Sequence, residues 1–383
     1  MRRTDAARGA TTVSLAALLL AGCSLAPAYH RPAIAVPDAY KEVPAGWSAA
    51  TPAADKGAGP WWQAFGDTTL MTLEARIEAD SPSLAAAVAR YDQALGQLGV
   101  ARADLFPEID LSGGASRDRV SADRPLTTGK AVTYNNYSIG ASLSYELDLF
   151  GRVRNSVRAG KAEAQASAAD VAGTRLGLQT RLATLYFQMR GLDARLDLLD
   201  ETVTAYQRAY DLTDTRHSGG IASGLDTSRA RSQLSSAKAE IAAVRTTRAS
   251  YEHAIAALLG VPASSFSLPA DPHRILPPAI PAGTPSTLLQ RRPDIDAAER
   301  RVNAANARIG VARAAIFPSL TLGGSGGYQT TGGNFLSAAS SFWALGPASV
   351  AFALFDGGAR LSQVKVARAE FTESAANYKQ TVL

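Results

Sequence analysis

Four stretches of the chain alternate between apolar residues and polar or very small ones, which is the period of a β-strand. In the longest stretch the polar positions are serine, glycine or an acid, and the apolar positions are Tyr137, Ile139, Ala141, Leu143, Tyr145 and Leu147. This pattern fits a sandwich strand with a dry inner face, or a membrane barrel strand with lipid outside, water inside and tyrosines at the two interfaces. The alternation predicts strands at about 107–115, 136–148, 318–328 and 342–355, with polar loops within each pair.

A long region with helical periodicity separates the two pairs of strands. Residues 152–216 contain no proline, and their leucines recur at spacings of three and four, as in a coiled-coil seam. The segment from His217 to Asp226 reads as a sharp turn, in which Gly219, Gly220 and Gly224 act as breakers. A second helix returns to about Leu259. The sequence therefore predicts a helical hairpin over about 152–260.

One stretch occurs twice in the chain. Gly99–Leu111 reads GVARADLFPEIDL and Gly310–Leu322 reads GVARAAIFPSLTL. Proline cannot continue a helix and it favours extended geometry in the residue before it. Phe106-Pro107 and Phe317-Pro318 are therefore predicted to be switches from helix to strand. We expect an internal two-fold repeat, with a first copy at 61–260, a Pro-rich connector at 261–285 and a second copy at 286–383.

The predicted strands cannot form a closed barrel within one chain, because small barrels need about eight. An open sheet edge is not tolerated in lipid, where no water can satisfy its backbone groups. If the strands lie in a membrane, strands from several chains must therefore combine.

The N-terminus is predicted to be a targeting segment. Arg2 and Arg3 precede a short apolar stretch at Val13–Leu20, and Leu20-Ala-Gly-Cys23 follows. This resembles the bacterial lipoprotein signal, which implies cleavage of residues 1–22 and attachment of S-diacylglycerol and an N-acyl chain to Cys23, at the outer membrane. The alternative is an ordinary secretory signal with a chance cysteine. Residues 23–60, rich in proline, are expected to be a lipid-anchored tether.

Composition and charge narrow the function classes. Charged residues make up 19% of the 383 residues and the net charge is +5, but the charges are scattered along helices, which argues against nucleic-acid binding. Gly323–Gly327 matches G-x-S-x-G, but the polar loop expected after it lacks the helix that a nucleophile elbow needs. The four histidines lack metal-ligand spacing. We predict no enzyme activity, no cofactor and no metal site.

Taken together, these features identify a resemblance that covers essentially the whole chain. The sequence resembles the outer membrane factors of tripartite RND-type efflux systems, the TolC-like channels, in their NodT-type lipoprotein branch. The motifs that carry it are Leu20–Cys23, Pro60-Trp-Trp with Phe65, the two Phe-Pro switches, Asp148–Gly151, Gly219–Asp226, Arg291–Asp294 and Leu354–Gly358.

The resemblance implies an α+β membrane protein that assembles as a homotrimer. Each protomer would give four strands to a shared 12-stranded transmembrane β-barrel, and the helical hairpins would form a periplasmic α-barrel. The assembly would be a passive exit duct for small solutes such as drugs or metals. Its partners would be a periplasmic adaptor protein, an inner-membrane RND-type transporter and outer membrane lipid. The adaptor-contact turn would be formed by Gly219, Gly220, Ile221, Ser223, Leu225 and Asp226.

The two halves differ in length after the strands. The first half runs from Gly151 to Gly260 as a helical hairpin, whereas the second has only Gly357 to Leu383. We therefore expect a C-terminally truncated version of the family, without the hairpin that would carry its gate residues. The alternative function is a structural lipoprotein that braces the envelope with coiled-coil rods, which would have no use for lipid-facing strands.

Overall fold

The computed structural model describes residues 24–34, 60–123, 129–273, 276, 278, 291–333 and 335–383. Short 3-10 turns lie at Trp61–Phe65, Ala263–Ser265 and Ala338–Ser340. The helices are α1 (Thr68–Asp80), α2 (Pro82–Ala103), α3 (Arg152–Ser218), α4 (Gly224–Leu258), α5 (Pro293–Ala314) and α6 (Ala359–Val382). The strands are β1 (Glu108–Val120), β2 (Val132–Leu147), β3 (Ser319–Thr330) and β4 (Ser341–Ala351). None of the described helices has the length and apolar character of a membrane-spanning helix.

The four strands form one antiparallel sheet in the order β1-β2-β3-β4. The two hairpins are therefore joined, because β2 from the first half pairs with β3 from the second, from Tyr137↔Thr330 to Leu147↔Leu320. Among the described residues, the outer edges of β1 and β4 have no strand partner.

The expected loop boundaries were wrong on both hairpins. Residues 116–120 and 132–135, expected to be loop, extend the two strands of the first hairpin, and the β1–β2 register is unbroken from Glu108↔Ser144 to Val120↔Val132. β3 likewise continues through the glycines to Thr330. Backbone pairing stabilises these segments although their Gly, Ser and Arg residues lack an apolar period. β4 ends at Ala351 rather than near 355, because its partner β3 begins at Ser319, directly after Pro318.

The register divides the sheet into two chemically different faces. One face is apolar in its middle rows, and Leu111, Trp343 and Leu345 on it each expose more than three quarters of their surface. The opposite face carries mainly serine, threonine, glycine and acidic residues, joined by Phe342, which reaches across to Gly140. The alternation predicted along β2 therefore extends across all four strands.

One compact unit comprises, among the described residues, 24–34, 92–167 and 295–383. It contains the sheet and two small cores, where Ile309 and Ala312 pack on Val364 and Ala367, and Leu98 packs on Ala164. The 24–34 segment binds α5 through its backbone, because Asn306 Nδ2 donates to the Pro27 carbonyl at 2.9 Å. Gly310 lies under this segment: a Cβ there would come within 2.7 Å of Ala26 Cβ and 2.6 Å of Asn155 Nδ2.

The second compact unit comprises described residues from 60–91 and 168–294. Its core is formed by α1, α3 and α4, with Leu70, Ile77, Leu182, Tyr186, Met189 and Ile255 almost fully buried. Asp67 caps the N-terminus of α1, because its Oδ1 accepts from the Leu70 amide at 2.9 Å. Its other oxygen accepts from the Tyr186 hydroxyl at 2.7 Å.

A buried ionic network fixes the segment that follows α4 to the helices. Asp193 accepts from Arg190 at 3.0 Å and from Arg248 at 2.6 Å, and its Oδ2 also accepts from the Asp271 amide at 3.1 Å. Arg248 donates to the Leu268 carbonyl at 2.7 Å. Since every charge in this network has a partner, the network holds the start of the connector with a defined geometry.

Glu74 is the exception among the buried charges of this unit. Its side chain is fully buried and neither carboxylate oxygen has a hydrogen-bond partner among the described residues. Burial, and then the charge of Glu78 one helical turn later, raise the pKa of Glu74 to about 8. Glu78 itself is partnered by Arg175 at 2.8 Å and Gln179 at 3.3 Å.

The two glycines of the repeated stretch are predicted to respond oppositely to alanine. Nothing lies within 4 Å of a Cβ at Gly99. Gly99→Ala should therefore be neutral or stabilise by up to about 1 kcal/mol through helix propensity. Gly310→Ala should destabilise by about 1–3 kcal/mol because it displaces the 24–34 segment. Thermal unfolding in detergent measures both, and equal effects would contradict the packing described here.

Glu74→Gln is predicted to flatten the pH dependence of stability. Between about pH 4.5 and 8 the unfolded chain has lost the Glu74 proton and the folded chain retains it, so stability falls as pH rises through that window. Keeping the Glu74 carboxyl group protonated in the folded chain costs about 3 kcal/mol at pH 7, at 1.36 kcal/mol per pKa unit. Melting temperatures at pH 5 and pH 8 should converge in Glu74→Gln and stay apart in the exposed control Glu201→Gln. An unchanged slope in Glu74→Gln would rule out this account.

Candidate functional site

The two Phe-Pro switches have the same backbone geometry. In the first, the Leu105 and Phe106 amides donate to the Arg102 and Ala103 carbonyls at 3.1 and 2.9 Å. In the second, Ile316 and Phe317 donate to Arg313 and Ala314 at 3.1 and 3.0 Å. Each helix thus tightens in its last turn, and β1 and β3 begin directly after Pro107 and Pro318.

The environments of the two switch phenylalanines differ. Phe106 exposes 70% of its surface, whereas Phe317 stacks on Phe150 with ring centroids 4.7 Å apart. Phe150 belongs to the segment Asp148–Gly151 that leads from β2 into α3. The second switch therefore ties the two halves of the sheet to one another at the end where the helices attach.

Ion pairs line the end of the sheet at which the helices attach. Arg152 binds Glu146 with two hydrogen bonds of 2.8 and 2.7 Å, and Arg154 binds Asp148 at 3.1 Å. Asp356 accepts from the Arg360 amide at 3.2 Å and from the Gly358 amide at 2.9 Å, and these hydrogen bonds lower its pKa. The charges are largely neutralised in pairs, so this end presents polar rather than strongly charged surface.

The apolar face of the sheet is bounded by aromatic residues. Tyr145 lies towards the helix end of β2, and Tyr137 and Tyr328 lie near the far ends of their strands. The exposed residues between them are mainly leucine, isoleucine and tryptophan. An apolar band between aromatic rows is the surface expected to meet lipid.

Cys23, the predicted lipid attachment residue, lies outside the described residues. The residue after it is held by hydrogen bonds: Ser24 Oγ donates to Asn155 Oδ1 at 2.9 Å and accepts from Arg158 at 3.1 Å. Further along, Arg31 pairs with Glu299 at 3.1 Å and donates to the Tyr378 hydroxyl at 2.9 Å. The beginning of the predicted tether is therefore fixed to the helices rather than free.

The turn between α3 and α4 ends the first helix with a defined cap. The Ile221 amide donates to the Arg216 carbonyl at 2.8 Å and the Gly220 amide to the His217 carbonyl at 2.9 Å. These two bonds, with Gly220 at φ +77°, are a Schellman motif, which favours glycine at that position. Gly219 has no such requirement, because a Cβ there would meet only ordinary contacts of 3.6 Å or more.

The second helix begins with a capping box. Ser223 Oγ accepts from the Asp226 amide at 3.2 Å, and the Asp226 carboxylate accepts from the Ser223 amide at 3.3 Å. The Ser223 hydroxyl also donates to Asp226 Oδ2 at 2.7 Å, and this hydrogen bond, together with the one from the Ser223 amide, lowers the pKa of Asp226. Gly224 is the first residue of α4, so its expected role as a breaker was wrong; Ser223 starts the helix. Ile221 lies between the caps and Leu225 lies in the first turn of α4, and they expose 81% and 59% of their surfaces.

Several residues of these sites were missed by sequence reasoning. Asn155, Arg158 and Arg31 hold the 24–34 segment through contacts that are distant in the chain, and no local pattern marks them. The S/T-x-x-D spacing of Ser223 and Asp226 was a usable signal for the capping box. Gly323–Gly327, which resembles a nucleophile motif, lies inside β3. Among the described residues no cluster of three or more His, Cys, Asp or Glu could hold a metal ion.

The comparisons with known proteins agree with one another. The family model described as outer membrane efflux protein matches residues 75–261 and 284–383. The probable efflux pump outer membrane protein TtgC of Pseudomonas putida is 32% identical over 379 residues, which cover 97% of this chain and 77% of the relative. The cation efflux system protein CusC of Escherichia coli is 30% identical over 374 residues, covering 96% of this chain and 78% of that protein.

Solved structures of outer membrane channels share the fold. The outer-membrane channel OprN aligns with a TM-score of 0.79 at 30% identity, over 94% of this chain and 80% of its own. The Neisseria gonorrhoeae MtrE channel, solved in its open state, aligns with a TM-score of 0.78 at 27% identity, over 94% and 79% of the two chains. These alignments confirm the fold class predicted from the sequence.

Adjacent residues of β2 are predicted to differ sharply in their tolerance of charge. Leu143 lies within the apolar band, and an arginine facing lipid there costs about 2–4 kcal/mol near the midplane. Ser142 lies on the polar face opposite Asp110. Leu143→Arg should therefore reduce membrane insertion and heat-resistant oligomers, and Ser142→Arg should retain both. Gel mobility of unheated membrane fractions measures this; similar loss in both variants would contradict the assignment of faces.

Proposed function

Because the chain belongs to the outer membrane efflux protein family, we propose that it acts as the exit duct of a tripartite efflux system, pumped by an inner-membrane transporter. The observation that supports this proposal most directly is the four-stranded sheet, which has one apolar face, one polar face and two open edges. The fold and the relatives are those of outer membrane efflux channels that extend into the periplasm. The chain is thus a transport protein of the outer membrane.

The open edges support a homotrimer. In hydrocarbon, unpaired backbone groups at a sheet edge each cost several kcal/mol. Pairing β4 of one copy with β1 of the next removes every edge once the sheet closes. Three copies supply 12 strands, enough for a barrel wide enough to conduct, whereas one copy supplies too few to close. The helical hairpins of the three copies would form the periplasmic tube.

The polar face of the sheet supports a passive duct rather than a selective one. Its small side chains, serine, threonine and glycine, offer only weak hydrogen bonding. Relatives are described as outer membrane proteins of antibiotic and toluene efflux pumps and as a protein of a cation efflux system, and these solutes differ widely in chemistry. Selection of the solute, whether drug or metal, would then lie with the transporter.

The partners would be a periplasmic adaptor and an inner-membrane RND-type transporter. The adaptor-contact turn would use the exposed apolar Ile221 and Leu225, with Gly219, Gly220, Ser223 and Asp226 setting its shape. The hydrogen bonds that hold Ser24 to Asn155 and Arg158 support an anchor at the neighbouring Cys23, where acyl chains would add about 0.8 kcal/mol per buried methylene. The alternative function, a structural lipoprotein that braces the envelope, does not explain why the sheet has an exposed apolar face.

The test of this function is conductance combined with adaptor capture. The purified lipidated protein should run as a heat-modifiable trimer and conduct ions in planar bilayers; a water-soluble monomer without conductance would overturn the proposal.

The adaptor contact is predicted to depend on the apolar side chains of the turn. Ile221→Asp with Leu225→Asp should lower co-purification of the adaptor at least tenfold while leaving trimers and conductance intact. Gly219→Ala should bind normally, because the turn does not need glycine there. Gly220→Ala should weaken binding by straining the turn, at a cost of about 1 kcal/mol. Normal adaptor capture by the double aspartate variant would refute the assignment.

A further inference from the structure

The far end of the sheet carries two arginines on the same face as the lipid-facing residues. The β1–β2 register is continuous, so side chains of β1 alternate without interruption from Ile109 to Arg119. Arg117 and Arg119 therefore share the face of Ile109 and Leu111. Sequence reasoning placed both arginines in a loop, and their position follows only from the observed length of β1.

The aromatic boundary of the apolar face lies directly beside this pair. Tyr137 pairs with Ala115, and the next pair on the same face is Asn135 with Arg117, followed by Thr133 with Arg119. The face thus changes from apolar to polar and cationic within one step beyond the tyrosine. An arginine within the hydrocarbon would be costly, whereas one just beyond the aromatic row lies at the depth of lipid headgroups.

The two guanidinium groups are available to a ligand. Both side chains are exposed, and within the part of the chain that the structure describes neither has a hydrogen bond or ion pair. The nearby acid Asp118 lies on the opposite face, where its carboxylate accepts from Ser116 Oγ at 2.7 Å. The cross-strand neighbours Asn135 and Thr133 are uncharged. The patch therefore carries two positive charges without compensation on its own face.

We propose that Arg117 and Arg119 bind the phosphorylated headgroups of lipids in the external leaflet. The two residues lie about 7 Å apart along the strand, and each guanidinium can bind a phosphate with two parallel hydrogen bonds. The inference rests on the proposed function, because that function places the helices in the periplasm and hence this end of the sheet outside. Uncharged sugars or zwitterionic headgroups would not satisfy two adjacent uncompensated cations equally well.

The probe is a bisphosphorylated glycolipid, lipid A, added to delipidated protein in neutral detergent and followed by native mass spectrometry. Dephosphorylated lipid A and phosphatidylcholine are the comparison lipids. Wild type should bind the bisphosphorylated lipid at least tenfold more tightly than either, and added salt should weaken that binding. Arg117→Gln with Arg119→Gln should lose this preference.

Two further variants keep the test decisive. Arg90→Gln with Arg208→Gln removes the same charge from exposed helix positions and should bind like wild type. Arg117→Lys with Arg119→Lys keeps the charge without the planar fork and should bind with intermediate affinity. Conductance of each preparation reports separately on the proposed function. Channels that conduct but bind lipid A equally with and without Arg117 and Arg119 would overturn the lipid inference alone.

Discussion

The backbone of the sheet edges is the constraint on which the rest of this structure depends. A sheet in hydrocarbon must pair every amide and carbonyl with another strand, because neither water nor side chains are there to replace a partner. Within the chain, the pairing of β2 with β3 satisfies two of the four hairpin edges and joins the halves. The remaining edges can be satisfied only by other copies, so oligomerisation is a requirement of the backbone and not an optional gain in stability.

Element boundaries that depend on local sequence patterns could be predicted, whereas strand segments that depend on pairing with another strand could not. The helix boundary at Arg152 follows from local signals, as do the switches at Pro107 and Pro318. The extension of β1 to Val120 does not, since glycine, serine and arginine have low strand propensity and gain their conformation from β2 across the ladder. The lipid-facing position of Arg117 and Arg119 is a direct consequence of that pairing, so no local pattern could reveal it.

The duplicated stretch also shows that local sequence predicts backbone conformation but not the surroundings of a residue. Its two copies have helices of 22 residues and identical turn hydrogen bonding, because those properties are local. Their surroundings differ: Gly99 faces open space and Gly310 lies beneath Ala26, while Phe106 is exposed and Phe317 stacks on Phe150. The second copy contacts the 24–34 segment through Gly310 and the first half of the chain through Phe317. Similar sequences thus give the same local backbone, and contacts with the rest of the chain give the two copies different roles.

The turn between α3 and α4 is rigid, and this bears on how a partner would bind it. The Schellman motif and the capping box satisfy the backbone at both helix ends, and His217 Nδ1 lies 2.9 Å from the Ala222 carbonyl. Ile221 and Leu225 are therefore presented in a fixed geometry before any partner arrives. Ordering a flexible loop on binding costs free energy for every residue immobilised, and a preformed turn avoids most of that cost. A small apolar surface of two side chains can then suffice for docking, provided that three or more copies engage together. The trimer demanded by the sheet edges would supply that multiplicity.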